Sequence, residues 1–375
     1  MAEMANAPVL LAGDIDRGGV FASLYGTVAL LEPQERARIR GLIINKFRGD
    51  VELLRPGLAM LEEKTGVPVL GVVPYTCADI DDEDSLAPCL AQTQQRRPLD
   101  IAVVRLPRIS NFTDFSPLES HPALGVRYVE RAGQLGEPDL VVLPGTKNTM
   151  GDLAWMRQNG LEAEVLKAAA GGTPVMGICG GFQMLGETLS DPHGVEAGGT
   201  LRGMGLLPMD TVFEKQKTRT QTKGKFRPLA GCFSELSGVS FYGYEIHMGR
   251  TAIDRENGAM DTAMLVSWRR EPVICRPVSY VMEIQDRDRP GCDGKRVKED
   301  GWNRGNIYGA YIHGIFDHPG IAETIVSSLA AKKGISMDEV KAGDYSAYRQ
   351  QQYDKLADVL RSSLDMDAIY KMMGL

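Results

Sequence analysis

Apolar residues in the first part of the chain come in short unbroken runs closed by polar or turn-forming residues. Pro8 to Gly13, Gly41 to Asn45 and Val67 to Val73 are three such runs. Runs of this length without alternation mark strands buried on both faces of a parallel sheet. Between them, Val20 to Leu31 carries helical spacing. So does Val51 to Thr65, with its start delayed by Pro56-Gly57. Strand–helix alternation predicts an α/β class with helices covering a parallel sheet. Three strands are few for a doubly wound nucleotide domain, and the chain enters a strand almost at once. The expectation is a truncated parallel-sheet domain, with an apolar edge and face that call for a partner or a homo-oligomer.

Asp81 to Pro98 is polar with little periodicity and reads as a linker. The resulting boundaries are 1–90 for the first domain, 91–99 for the linker, 100–320 for a second α/β domain and 321–375 for C-terminal helices. In the second domain, strands are predicted from Ile101, over Pro138 to Pro144 and over Thr173 to Ile178, with a helical stretch from Leu153 to Ala170. Lys215 to Arg227 is basic, without periodic apolar positions, and reads as mobile. Ile321 to Lys332 and Tyr345 to Ser363 have helical spacing and read as cover for the domain.

Composition narrows the function classes. The chain has 375 residues, 43% hydrophobic and 24% charged, which is ordinary globular material. A net charge of −7 without a basic block argues against nucleic acid or an anionic membrane. No apolar run is long enough to span a bilayer, and no secretory signal is visible. The six cysteines form no CxxC pair and read as reduced thiols of a cytoplasmic protein.

Two loops carry candidate nucleotide chemistry. Asp14-Ile15-Asp16-Arg17-Gly18-Gly19 follows the first strand, where ligands bind in parallel sheets. Its carboxylates, Asp14 and Asp16, suit a Mg²⁺ ion on phosphates, and equally a capped glycine-rich turn. Asn45, after the second strand, suits a purine edge or a solvated loop. A P-loop of the form GxxxxGK(S/T) is absent, so a triphosphate has no cradle in these residues.

The strongest signal is Gly177-Ile178-Cys179-Gly180-Gly181-Phe182-Gln183, leading into a helix through Leu189. A cysteine between glycines at a strand-to-helix turn is placed as a strained nucleophile. A helix N-terminus favours the thiolate, and adjacent amides, with Gly145 after the preceding strand, can face an oxyanion. Such a thiol needs a base. Of five histidines, His313 ends an apolar strand beside a glycine and fits best, with His247 the runner-up.

GICGGFQ with a distant HG resembles the class I glutamine amidotransferase domain. DIDRGGVFASLYG, NKFRGD, RLPRISNFTDF, LPGTKNT, GYEIHMGRT and YIHGIF narrow this to a resemblance to the cobyric acid synthase family of the cobalamin pathway, from about Pro8 to about His318. The resemblance implies a truncated dethiobiotin-synthetase-like domain followed by a class I glutamine amidotransferase-like domain. It implies Cys179 as nucleophile, His313 as general base and acid, and Gly145, Gly180 and Gln183 as contacts to glutamine and the oxyanion. ATP and Mg²⁺ are implied near Asp14 and Asp16, with Asn45 near the nucleotide base, provided that a missing N-terminal part or a separate P-loop partner supplies the phosphate cradle. The implied substrates are glutamine and a corrinoid, adenosylcobyrinic acid a,c-diamide, amidated at its b, d, e and g carboxylates. The alternatives are a glutaminase subunit alone, an inactive binding module, or a related amidoligase. Many class I members carry a glutamate two residues past the histidine. Ile315 stands there in this chain, with Asp317 an alternative third member. Ser110 to Asp114 reads either as lining between two sites or as a capped loop.

Overall fold

A computed structural model describes residues 1–78, 80, 97–253, 279–286, 297–336 and 345–375. The expected linker falls almost wholly outside the described residues. The chain divides into two compact units, Met1–Ile80 with Ala347–Leu375, and Asp81–Ser346. Among the described residues no helix is long and apolar enough to cross a membrane.

The first unit holds the three predicted strands, β1 (Val9–Asp14), β2 (Ile39–Phe47) and β3 (Val69–Pro74), in parallel order β1-β2-β3. Helices α1 (Val20–Leu30) and α2 (Arg55–Thr65) connect them. Pro56 lies in the first turn of α2, where its missing N–H costs no helical hydrogen bond. Val20, Leu24, Val28, Leu42, Ile44 and Leu61 form a small core.

The second unit is built on an 11-stranded sheet. One side is parallel, in the order β5 (Leu124–Val129), β4 (Leu99–Val104), β6 (Leu140–Leu143), β7 (Val175–Ile178) and β14 (Ile307–Ala310). Every residue of β6 is buried, as a strand covered on both faces requires. The single helical stretch expected up to Ala170 is two helices, α3 (Thr149–Gln158) and α4 (Leu161–Ala170). Gly160, at φ 77°, breaks them apart.

The basic stretch expected to be mobile is part of an 18-residue strand, β10 (Met209–Phe226), paired antiparallel with β11 (Ser240–Ile253). Thr222 is buried on it, and Thr218 and Thr220 are half-buried, so its inward face is threonine rather than aliphatic. That is why no apolar period announces it. The helix after Cys179 is also shorter than expected. It is α5 (Gly180–Met184), followed by β8 (Thr188–Asp191).

The expected C-terminal block divides. Helix α6 (Pro319–Lys333) lies in the second unit. Helices α7 (Tyr345–Ser363) and α8 (Met366–Met373) lie almost entirely in the first. There Leu364 forms an antiparallel bridge with Gly71 of β3, and the Asp365 amide donates to the Leu70 carbonyl at 2.8 Å. The β3 edge, expected to be open, therefore has a backbone partner at this point.

Candidate active site

In the first unit, register aligns Asp14 of β1 with Asn45 of β2 at the carboxyl ends of both strands. The structure thus brings Asp14, Asp16 and Asn45 together. The Lys46 ammonium pairs with Asp14 at 2.8 Å, and the Arg48 guanidinium with Asp16 at 3.1 Å. Arg48 also lies 3.4 Å over the centre of the Tyr75 ring. The hydrogen bond from Lys46 is the main cause that holds the Asp14 carboxyl below its ordinary value. Both carboxylates expected to take Mg²⁺ are engaged by cations, and the described residues contain no cluster of three or more His, Cys, Asp or Glu suited to a metal. As placed, this set does not fit a metal centre.

In the second unit, Cys179 caps the N-terminus of α5 at φ 50° and ψ −106°. That left-handed backbone is unfavourable for a side chain with a Cβ, and it marks a strained nucleophile turn. Close packing demands the neighbouring glycines. A Cβ on Gly181 would meet the Leu143 carbonyl oxygen at 2.0 Å, and one on Gly145 would meet His313 Cε1 at 2.9 Å. The Cys179 amide donates to the Ala310 carbonyl at 2.9 Å, tying the turn to β14. The amides of Gly145 and Gly180 have no protein acceptor among the described residues. They remain available to a developing negative charge.

His313 follows β14 and is buried, with its backbone bonded in both directions to Tyr244 of β11. The Tyr244 ring stacks on the imidazole with centroids 5.3 Å apart. Burial opposes the charged imidazolium. The Asp114 carboxylate and a hydrogen bond with Cys179 outweigh it, and His313 is pushed up to about 10. His313 Nδ1 lies 2.7 Å from Asp114 Oδ2. From the sequence, Asp114 was read only as part of the Ser110 to Asp114 block and Tyr244 was not singled out; Asp114 lies in the short helix Phe112–Phe115, well beyond the end of β4. Ser110 to Asp114 therefore serves His313. The carbonyl of Asp317, the alternative partner, accepts from the Tyr242 hydroxyl at 3.1 Å.

His247 is not placed as the base. Its ring stacks on Tyr311 at 3.7 Å and its Nδ1 lies 2.7 Å from the Gly249 carbonyl. Gln183, expected to touch glutamine, is buried. Its Oε1 accepts from Thr149 at 2.8 Å and its Nε2 donates to Tyr311 at 3.2 Å. Those bonds make it a fixed part of the wall beneath the turn. Glu196 caps α3 by accepting from the Met150 amide at 3.0 Å. Burial pushes its carboxyl up to about 7, against the hydrogen bonds from Met150 and Thr149.

Residues 100–320 match the family described as CobB/CobQ-like glutamine amidotransferase domain. Residues 2–87 match the CobQ/CobB/MinD/ParA nucleotide binding domain. Cobyric acid synthase of Ruminiclostridium cellulolyticum is 51% identical over 373 residues, covering 100% of this chain and 68% of that protein. Cobyric acid synthase of Lachnoclostridium phytofermentans is 49% identical over 377 residues, covering 100% of this chain and 70% of that protein. Among solved structures, PurLQS from Thermotoga maritima aligns at 19% identity with a TM-score of 0.40, over 63% of this chain and 99% of that one.

Proposed function

The chain belongs to the cobyric acid synthase family and carries its glutamine amidotransferase domain, and from that premise we propose that Cys179 and His313 hydrolyse glutamine to supply ammonia. The Cys179 thiolate attacks the γ-carboxamide carbon. The oxyanion points at the amides of Gly145 and Gly180. His313 Nε2 gives its proton to the departing nitrogen, which leaves as ammonia and a γ-glutamyl thioester. His313 then takes a proton from water, which attacks the thioester and releases glutamate. The balance is glutamine plus water to glutamate plus ammonia. Gln183, held by Thr149 and Tyr311, forms the wall of the glutamine pocket in this reading.

The ammonia's destination in this reading is a set of corrinoid carboxylates activated by ATP, the b, d, e and g groups of adenosylcobyrinic acid a,c-diamide. Asp14, Asp16 and Asn45 are the first unit's candidates for nucleotide contact. The P-loop contacts to the triphosphate come from outside the 375 residues. The observation that supports the glutaminase half most is the left-handed Cys179 backbone between glycines, with the buried His313 imidazole held by Asp114 and the thiol itself 3.8 Å from the Ile246 carbonyl. The test is ammonia release from glutamine, with mass spectrometry of the Cys179 peptide after acid quenching. The expected outcome is a γ-glutamyl adduct on Cys179, and at least a thousandfold loss of hydrolysis in Cys179→Ala, about 4 kcal/mol of barrier. Undiminished hydrolysis in Cys179→Ala would overturn the reading.

A further inference from the structure

We propose that Asp114 is the positioning residue of His313, fixing its tautomer and holding its positive charge, a role that rests on the glutaminase reading. The residue comes from a part of the chain 199 positions upstream of the histidine. It is not the residue two places past His313, because that residue is Ile315, a buried aliphatic side chain.

The carboxylate grips its target twice. Oδ2 lies 2.7 Å from His313 Nδ1, and Oδ1 accepts from the Gly314 amide at 2.8 Å. One oxygen fixes the ring and the other fixes the backbone that carries it, so the imidazole cannot rotate without breaking a buried bond. A carboxylate accepts only, so Nδ1 must donate to it. That leaves the other nitrogen, Nε2, as the one able to take the thiol proton. The segment that carries Asp114 also clamps the ring's face, because Asn111 Nδ2 donates to the Tyr244 hydroxyl at 2.7 Å and Tyr244 stacks on His313. Asn111 adopts φ 55° to do this. Gly145 stands against the ring as well, with room for hydrogen only.

Energetics favour this assignment over a passive pair. Asp114 and His313 are 3% and 1% exposed, so an ionised carboxylate here without a cationic or hydrogen-bonding partner would cost several kcal/mol. The ion pair forms when the thiol proton moves to His313 Nε2. The products are a thiolate on Cys179 and an imidazolium between it and Asp114. The other ionisable groups around the pair are Tyr244 and Tyr311, both held neutral by burial first, with Asp317 acting on Tyr244 and Asp300 on Tyr311. His247 of β11 stacks on Tyr311, and Glu245 lies 3.8 Å from the His247 ring.

The experiment measures alkylation of Cys179 by iodoacetamide against pH, in the wild-type chain and in Asp114→Asn, together with kcat and KM for glutamine. The expected result is an acid limb moved up by at least one pH unit in Asp114→Asn. With it, kcat falls at least a hundredfold and KM stays within about threefold, and Asp114→Glu recovers part of the loss. A loss of packing alone would slow alkylation at every pH and leave the limb where it was, and that outcome overturns the proposal. So does a kcat within threefold of wild type. Should Asp114→Asn fail to fold, nitrogen NMR of the wild-type chain with labelled histidine decides. A proton on His313 Nδ1 supports the proposal and a bare Nδ1 overturns it. A wild-type chain that alkylates normally yet releases no ammonia from glutamine would instead sink the glutaminase reading.

Discussion

In the first unit, Asp14 and Asp16 stand at the rim of the sheet, 30% and 42% exposed, and pair with Lys46 and Arg48. In the second, Asp114 and His313 are sealed from water and pair with each other. Both sets sit at the carboxyl ends of parallel strands, so topology alone does not distinguish them. Solvent does. At the rim, water screens the charges and each pair contributes little, so a ligand can displace a lysine or arginine at small cost. In the interior the same type of carboxylate is fixed, and its charge acts on the imidazole and on the Tyr244 ring stacked against it. The two sites also differ in backbone strain. Of four non-glycine residues with positive φ among the described residues, Asn111 and Cys179 belong to the interior site, and Lys46 to the rim.

The largest effect should come from crowding the interior pair. In Gly145→Ala the new methyl would displace the His313 ring from 2.9 Å contact. We expect a loss of about 10² in kcat for glutamine hydrolysis, the scale of an ångström's misplacement, with the melting temperature lowered by only a few degrees. Full activity in this variant would mean that the imidazole has slack, and the contrast with the rim would fall.

Glu196 lies between the two extremes and sharpens the contrast. Its ordinary value of 4.5 is pushed up to about 7 by burial. The folded pKa is above the unfolded one, so the fold favours the protonated form. The stability this contributes is complete below pH 4.5 and is lost as pH rises through 7. Glu196→Gln keeps an acceptor for the Met150 amide and removes the titration. We expect it to flatten the decline of stability between those pH values and to exceed wild type at pH 8 by about 1 kcal/mol, measured by denaturant melts.

The smallest effect belongs to the rim. Asp14→Asn should change unfolding free energy by no more than about 0.5 kcal/mol, because Lys46 regains water when its partner is neutral. A larger shift in denaturant melts would show that the rim pair carries structure, and would erase the distinction.

These differences also explain what the sequence could disclose. The strands β1 to β3 and β6 were legible because residues buried on both faces must be apolar without interruption. Cys179 and His313 were legible because glycine marks where backbones or side chains approach closely. Asp114 was not, because a carboxylate 199 residues from its histidine leaves no local spacing to read. Strand β10 was hidden for another reason. Its inward positions in the basic stretch are Thr218, Thr220 and Thr222 in place of aliphatic residues, so burial there leaves no hydrophobic run to read. Gln183 was read from its motif as a contact to glutamine. The sequence could not show that Thr149 and Tyr311 already engage both ends of its amide.

The bridge between Gly71 and Leu364 has a consequence for the order of synthesis. The first unit draws its pieces from both termini, while the second is encoded without interruption between them. On the ribosome, all of the amidotransferase unit is synthesised before the helices that dock on β3. Contacts of such long separation form late. The nucleotide-binding unit is therefore completed last, when most of the amidotransferase unit has already had time to fold.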